Sequence, residues 1–133
     1  MPHDRDRADA PERWIENARA DLALARIPLP PGVFYEHLCF HAQQAVEKSV
    51  KAVLLAFEVD FPPTHNLRVL IDLLPPEARV IPILKDAVDL TLYAVVTRYP
   101  SDFEPVSEEE YREALCIAEA VVAWASPLAV SHK

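Results

Sequence analysis

Apolar side chains recur every three to four residues along most of this chain, which is the spacing of one face of an α-helix. The first such segment begins near Asp9, which can cap a helix, and Pro11, which suits a first helical turn. It ends before the proline-rich run from Pro28 to Gly32. The recurring apolar positions of this first predicted helix are Trp14, Ala18, Leu22 and Ala25.

The longest block without glycine or proline runs from about Val33 to Phe57 and predicts a continuous second helix. On a wheel of about 100° per residue, its apolar positions gather around Leu38. They are Ala42, Ala45, Val46, Ala52, Val53 and Ala56. The polar positions expected mainly on the other side are His41, Gln44, Glu47, Lys48 and Lys51. Phe40 and Leu55 interrupt that polar side, so we expect another element to cover part of it.

Two further helical segments follow the long one. Thr64 can cap a short helix that Pro75 and Pro76 close. Its apolar positions are Leu67, Leu70, Ile71 and Leu74. A fourth helix covers roughly residues 81–97, with Pro82 in its first turn. Its predicted apolar face is Leu84, Val88, Leu92 and Val95, with Ile83, Leu90 and Tyr93 elsewhere. Since it is apolar around much of its girth, we expect it to lie centrally or at a subunit contact.

The last helix begins at a capping box formed by Ser107 and Glu110. The positions that it is expected to bury are Tyr111, Ala114, Leu115, Ala118, Val122 and Ala125. No segment shows the sustained two-residue alternation of a β-strand. The chain is therefore predicted to form an all-α, up-and-down bundle of four or five helices. We expect one domain over residues 11–127, a flexible segment over residues 1–10 and a tail over residues 128–133.

Composition and charge exclude several functions. The chain has 133 residues and a formal net charge of −8, so broad non-specific nucleic-acid binding is not expected. Its one glycine, Gly32, argues against a glycine-rich phosphate loop. No apolar run approaches the roughly 20 residues of a membrane span, and the charged N-terminal segment lacks the apolar region of a secretory signal. Cys39 and Cys116 are expected to be reduced, half-buried thiols of a cytoplasmic protein.

A metal site in the long helix is not supported by the spacing. His37 and His41 lie four residues apart and could face one ion together. Cys39 points about 100° or more away from each, so it cannot join them on that ion. Because position 38 is leucine, the HExxH motif is absent as well. We expect neither a metal nor another cofactor.

The same helix offers a charged pair whose role the spacing leaves open. Glu47 and Lys51 stand in the favoured i,i+4 order, with Gln44 and Lys48 alongside. One interpretation is a solvated face stabilised by such pairs. The other is a polar groove between helices, in which the two lysines hold an anionic group.

Candidates outside the long helix have similar alternatives. His65 lies at a helix start, where it is either a surface residue or part of a site. Arg98, followed by Tyr99, can bind a carboxylate or phosphate with its planar guanidinium, or it can oppose the dipole of the helix that it ends. Neither Ser49 nor Ser101 stands in a nucleophile elbow, so we predict no catalytic residue.

Four segments, in order, resemble a known protein family. They are ADLALA over residues 20–25, CFHAQQAVEKSVKAVL over residues 39–54, THNLRVLIDLLP over residues 64–75 and TRYPSD over residues 97–102, followed by an alanine-rich last helix. From about Trp14 to Ala125, the chain resembles the prokaryotic HEPN domain, the "higher eukaryotes and prokaryotes nucleotide-binding" domain.

The resemblance implies a helical bundle that forms a homodimer and often associates with a small nucleotidyltransferase subunit. The polar positions of the family map onto His41, Gln43, Gln44, Glu47, Lys48, Lys51, His65, Arg98 and Tyr99. It further implies that these side chains surround a groove for a nucleotide or for the partner enzyme. Gln43 could instead bridge two helices.

Many relatives of this kind are toxin-like or defence ribonucleases that carry an arginine and a histidine four to six residues apart. No histidine of this chain follows an arginine at that distance. The resemblance therefore implies a non-catalytic accessory protein that binds a nucleotide or the substrate of the partner. One alternative is a toxin-like ribonuclease with a non-standard site, for instance His41 with Arg98. The other is a purely structural dimer without a ligand.

Overall fold

A computed structural model of the chain describes residues 10–79, 81–94 and 105–131. Within these ranges the regular structure is entirely helical, which confirms the all-α prediction. The elements are α1 (Pro11–Ala25), α2 (Tyr35–Ala56), α3 (Leu67–Asp72), α4 (Ile83–Ala87), a 3-10 helix (Val88–Ala94) and α5 (Glu108–Ser131). No helix in the described part of the chain is long and apolar enough to cross a bilayer.

The first helix begins at Pro11, as predicted, because proline fits the first turn of a helix without losing a backbone hydrogen bond. Its N-cap is Ala10, whose methyl group offers no hydrogen bond. Asp9, the predicted cap, lies outside the described residues. The buried side of α1 consists of Ile15, Ala18, Asp21, Leu22 and Ala25. An acidic residue thus lies in an otherwise apolar stripe.

The second helix is the continuous rod that the sequence predicts, and it lies at the centre of the bundle. It packs along α1 on one side and α5 on another, and it also contacts the 3-10 helix. The predicted apolar arc around Leu38 is buried. Val50 and Leu54, on other sides of the helix, are buried as well. Neighbours therefore surround α2 on most of its circumference, which a one-sided wheel does not anticipate.

The short helix α3 is capped two residues later than predicted. The Oδ1 atom of Asn66 accepts hydrogen bonds from the backbone N–H groups of Arg68 at 3.0 Å and Val69 at 3.4 Å, which makes Asn66 the N-cap. The predicted cap, Thr64, instead accepts from the N–H of Asn66 at 3.0 Å. The N–H of Leu67 donates to Thr91 Oγ1 at 3.0 Å, which ties the start of α3 to the 3-10 helix.

The predicted fourth helix is α-helical only over Ile83–Ala87 and then tightens into the 3-10 helix. With three residues per turn, side chains three positions apart share a face. Leu84, Ala87 and Leu90 are accordingly buried, whereas Leu92 is 55% exposed. The predicted face with Leu92 beside Leu84 and Val88 is therefore wrong, because it assumed the α-helical period. The prediction for Val95 lies outside the described residues.

The last helix begins at the predicted capping box. Glu110 N–H donates to Ser107 Oγ at 3.0 Å, and Ser107 N–H donates to Glu110 Oε1 at 2.9 Å. The side chains that α5 buries are Ala114, Ile117, Ala118, Val121, Val122, Ala125 and Ala129. The predicted core positions Tyr111 and Leu115 are only half-buried. The Tyr111 hydroxyl donates to the carbonyl of Ala25 at 2.6 Å, which holds the end of α1 against α5.

Alanine substitutions at Leu90 and Leu92 test the three-residue winding directly. Leu90→Ala should lower the free energy of unfolding by about 2 to 5 kcal/mol, because it empties a buried site. Leu92→Ala should cost less than about 1 kcal/mol, because the side chain is largely exposed. Urea denaturation followed by circular dichroism measures both losses. Equal losses of stability, or a larger loss for Leu92→Ala, would instead support an α-helical winding of residues 88–94.

Candidate functional site

Two side chains on one flank of α2 bind a single carboxylate of α1. His41 and Lys48 lie seven residues apart, two helical turns, so they share the flank that faces α1. Lys48 Nζ donates to Asp21 Oδ2 at 2.7 Å, and His41 Nδ1 lies 3.0 Å from Asp21 Oδ1. Because an ionised carboxylate only accepts hydrogen bonds, His41 donates through Nδ1 and keeps Nε2 for another partner. We call these three residues the Asp21 cluster.

A second carboxylate, Glu47, binds three side chains on a different flank of α2. Gln43 Nε2 donates to Oε1 at 3.0 Å, and Lys51 Nζ donates to Oε2 at 2.9 Å. Gln43, Glu47 and Lys51 follow one another at intervals of four, which aligns them along the helix. His65, from the segment before α3, places Nδ1 at 3.0 Å from both carboxylate oxygens. We call these four residues the Glu47 cluster.

Burial separates the inner from the outer members of the two clusters. Gln43, Glu47 and Lys51 retain only 0%, 3% and 8% of their accessible surface. The interpretation of Glu47 and Lys51 as a solvated pair is therefore wrong. The side chain of His65 is 70% exposed, while those of His41 and Lys48 are half-buried. The outer members of the two clusters are thus two histidines and one lysine, and the remaining charged groups are buried.

Aromatic rings cover the buried ammonium group. Lys51 Nζ lies 5.6 Å from the centre of the Trp14 ring and 5.7 Å from that of Phe61. Both rings present their negative faces to the cation, which partly replaces its lost hydration. Two buried polar atoms of this region, Trp14 Nε1 and Gln43 Oε1, have no hydrogen-bond partner among the described residues. These two atoms differ in this respect from the amide nitrogen of Gln43 and the ammonium group of Lys51, which are hydrogen-bonded to Glu47.

The hydrogen bonds of the Glu47 cluster determine the ionisation of its carboxyl group. Burial acts to raise the pKa of Glu47, but hydrogen bonds from Lys51, Gln43 and His65 outweigh it and lower the pKa below the ordinary value of 4.5. Glu47 is therefore an anion at neutral pH. Together with Lys51 it forms a buried, charge-balanced pair.

Most of the predicted site residues take part in these two clusters. His41 and Lys48 meet at Asp21, while Gln43, Lys51 and His65 meet at Glu47. Gln44 is half-buried on α2 and has no side-chain hydrogen bond to another described residue. Arg98 and Tyr99 lie outside the described residues, so their place beside the lysines stays a prediction.

The site residues predicted from the sequence did not include Asp21. Asp21 occurs in the ADLALA segment that contributes to the family resemblance. Its spacing also indicates a buried position, because Ala18, Asp21 and Ala25 follow the intervals of a buried helical stripe. A carboxylate in such a stripe requires a cationic partner on the facing element. Lys48 and His41 provide it.

The histidine pair of the opening turns does not form a metal site. His37 Nδ1 accepts a hydrogen bond from the backbone N–H of Phe34 at 3.1 Å, at the start of α2. His41 is bound to Asp21 instead. In residues 10–79, 81–94 and 105–131, no group of three or more histidine, cysteine or acidic side chains is placed to hold a metal ion.

The two cysteines differ in exposure, and neither is half-buried as predicted. Cys39 is fully buried on α2, and burial together with the carboxylates of Glu36 and Glu110 raises the pKa of its thiol to about 12. Cys116 is exposed on α5. A thiol with so high a pKa is not a nucleophile at neutral pH.

Known protein structures share this helical bundle, and a family model matches the chain. The HEPN domain family matches residues 11–128. The crystal structure of TT1696 from Thermus thermophilus is similar at 30% identity with a TM-score of 0.74, covering 90% of this chain and 98% of that one. The structure of ST0689, described as an archaeal HEPN homologue, is similar at 29% identity with a TM-score of 0.66, covering 90% and 97%. No curated protein matches the chain.

This chain therefore belongs to the HEPN family, which confirms the family resemblance of its sequence. The family match spans every described helix except the last residues of α5. Both charged clusters lie inside the matched region.

Replacing Glu47 by glutamine should destabilise the fold by about 3 to 5 kcal/mol, because Lys51 would remain buried without its counter-ion. The pKa of Glu47 is lowered in the fold, so its ionised form contributes stability above pH 4.5 that is lost as pH falls through the folded value. The stability of Glu47→Gln should therefore fall less below pH 4.5 than that of the wild type. Urea denaturation at a series of pH values measures both effects.

Two further variants serve as controls for this experiment. Glu16→Gln makes the same change at an exposed position of α1 and should cost no more than about 0.5 kcal/mol. Adding Lys51→Met to Glu47→Gln removes the unpaired charge and should recover most of the loss. If Glu47→Gln behaved like Glu16→Gln, the buried pair would have no structural role.

Proposed function

We propose that this HEPN protein is a non-catalytic, cytoplasmic accessory protein that binds a nucleotide and works with a small nucleotidyltransferase. The observation that carries the proposal is the arrangement of the two clusters. Each holds a lysine and a histidine on a buried carboxylate, and His41, Lys48 and His65 reach the surface. We propose that these three residues and Gln44 line one binding surface, which we call the polar groove.

The chemistry of the polar groove suits a phosphate-bearing ligand of moderate affinity. His41 donates its Nδ1–H to Asp21, so its Nε2 donates to a phosphate oxygen in the imidazolium form and accepts from a ligand hydroxyl in the neutral form. Lys48 can share its ammonium protons between Asp21 and a second acceptor, since it has three donors. The bond between Lys48 and Asp21 also means that a phosphate competes with a carboxylate already in place.

An apolar surface near the connection of α1 and α2 supports a protein contact. Leu24, Ile27, Leu29 and Phe34 are all substantially exposed there, and Phe34 retains 64% of its surface. Grouped exposed apolar residues mark protein contacts more often than isolated ones do. We assign this surface to the homodimer or to the nucleotidyltransferase subunit. Co-purification with a small nucleotidyltransferase encoded in the adjacent reading frame tests the partner.

ATP should stabilise the wild-type protein by about 2.7 kcal/mol when present at about 100 times its dissociation constant. Thermal melting at increasing ATP concentrations measures this shift. Lys48→Gln should weaken the ATP response, because it removes a cation from the polar groove, whereas Arg19→Gln removes a charge from an exposed position of α1 and should leave it unchanged. No shift with any nucleotide would favour a purely structural dimer.

The hydrogen bond between Asp21 and His41 gives the alternative, a toxin-like ribonuclease, one specific observation in its favour. A carboxylate on Nδ1 orients an imidazole so that Nε2 can act as a general base. Incubation with single-stranded RNA distinguishes the two functions. Cleavage that His41→Ala abolishes would establish the ribonuclease, and intact RNA after long incubation is expected of an accessory protein.

A further inference from the structure

A cavity of about 550 Å³ lies between α3, the turn that follows it and α4, and none of its lining residues belongs to the two clusters. Three basic side chains line it: Arg68 of α3, Arg79 of the turn and Lys85 of α4. One carboxylate, Asp72, accompanies them. In a chain with a net charge of −8, this is a local excess of positive charge.

The three cations of this cavity are not neutralised within the described structure. Arg68, Arg79 and Lys85 form no ion pair and no side-chain hydrogen bond with any residue in 10–79, 81–94 or 105–131. Arg68 and Asp72 stand four residues apart on α3, yet they do not pair. By contrast, Lys48 and Lys51 are each bound to a carboxylate. The basic cavity therefore offers three cations that no described carboxylate pairs with, unlike the two lysines of α2.

The lining of the cavity is mixed, with apolar side chains beside the charged ones. Ile71 and Leu84 are buried and form part of the wall, with half-buried Val88 beside them. The volume lies within the range of about 300–1,000 Å³ typical of small-molecule sites. The apolar side chains of this lining can contact a flat or apolar group, while the basic side chains bind an attached anion. The combination selects for ligands that carry both.

We propose that this basic cavity binds a small organic phosphate, at a site separate from the polar groove. Arg68 and Arg79 hold the phosphate oxygens through their planar guanidinium groups, and Lys85 contributes a further positive charge. Asp72 accepts a hydrogen bond from a hydroxyl or amino group of the ligand. The apolar part of the ligand covers Ile71 and Leu84.

Isothermal titration of the full chain at low salt with three probes tests this site. Adenosine monophosphate carries both a flat ring and a phosphate, ribose 5-phosphate lacks the ring, and adenosine lacks the phosphate. Adenosine monophosphate should bind more tightly than either of the other two. Arg68→Gln and Arg79→Gln should each weaken its binding by about tenfold or more, because a charge-assisted hydrogen bond is lost.

Matched variants separate this cavity from the polar groove. Arg19→Gln makes the same charge change on α1 and should alter the affinity for adenosine monophosphate less than about twofold. Arg19, Arg68 and Arg79 are all exposed, so the three glutamine variants should fold normally. A loss in Lys48→Gln with none in Arg68→Gln would move the ligand to the polar groove and overturn the proposal. The proposal would also be overturned if adenosine monophosphate did not bind at up to about 10 mM, or if ribose 5-phosphate bound with the same affinity.

Discussion

The arrangement of the bundle depends on two carboxylates that are buried against α2. Asp21 is held by Lys48 and His41 from the neighbouring helix, and Glu47 is held by Lys51 and His65. A buried charge that loses its partner costs several kcal/mol, so α1 cannot slide along α2 without breaking its bond to Lys48. We infer that the Asp21 cluster determines the register of the first two helices, as a single polar residue does in a coiled coil. Apolar packing alone would tolerate several registers.

The candidate binding surface is the outer edge of this structural contact. The inner residues, Glu47 and Lys51, serve the fold, and the outer histidines and Lys48 are positioned because the inner ones are fixed. His65 has a special place, since it belongs to the segment that caps α3 and yet binds a carboxylate of α2. Any movement of α3 therefore reaches the Glu47 cluster directly.

The sequence was sufficient for the fold but only partly for the site. The rod of α2 and the Ser107 capping box follow from local chemistry, and the structure confirms both. The 3-10 winding after Ala87 was not predicted, because apolar residues at intervals of three to four suit an α-helix as well. The burial of Glu47 and Lys51 could not be predicted either, since an i,i+4 pair has the same spacing on an exposed and on a buried helix face. Only the side chains that pack over this face, such as Trp14 and Phe61, distinguish the buried case from the exposed one.

The contrast between the two thiols makes the molecule easy to label at one place. Cys39 is enclosed and stays protonated, whereas Cys116 is open to solvent on the long last helix. A maleimide dye or a nitroxide would therefore attach at a single point without any mutagenesis. That point lies on α5, in a different helix from either charged cluster. Fluorescence or electron paramagnetic resonance could then report on assembly while both clusters remain untouched.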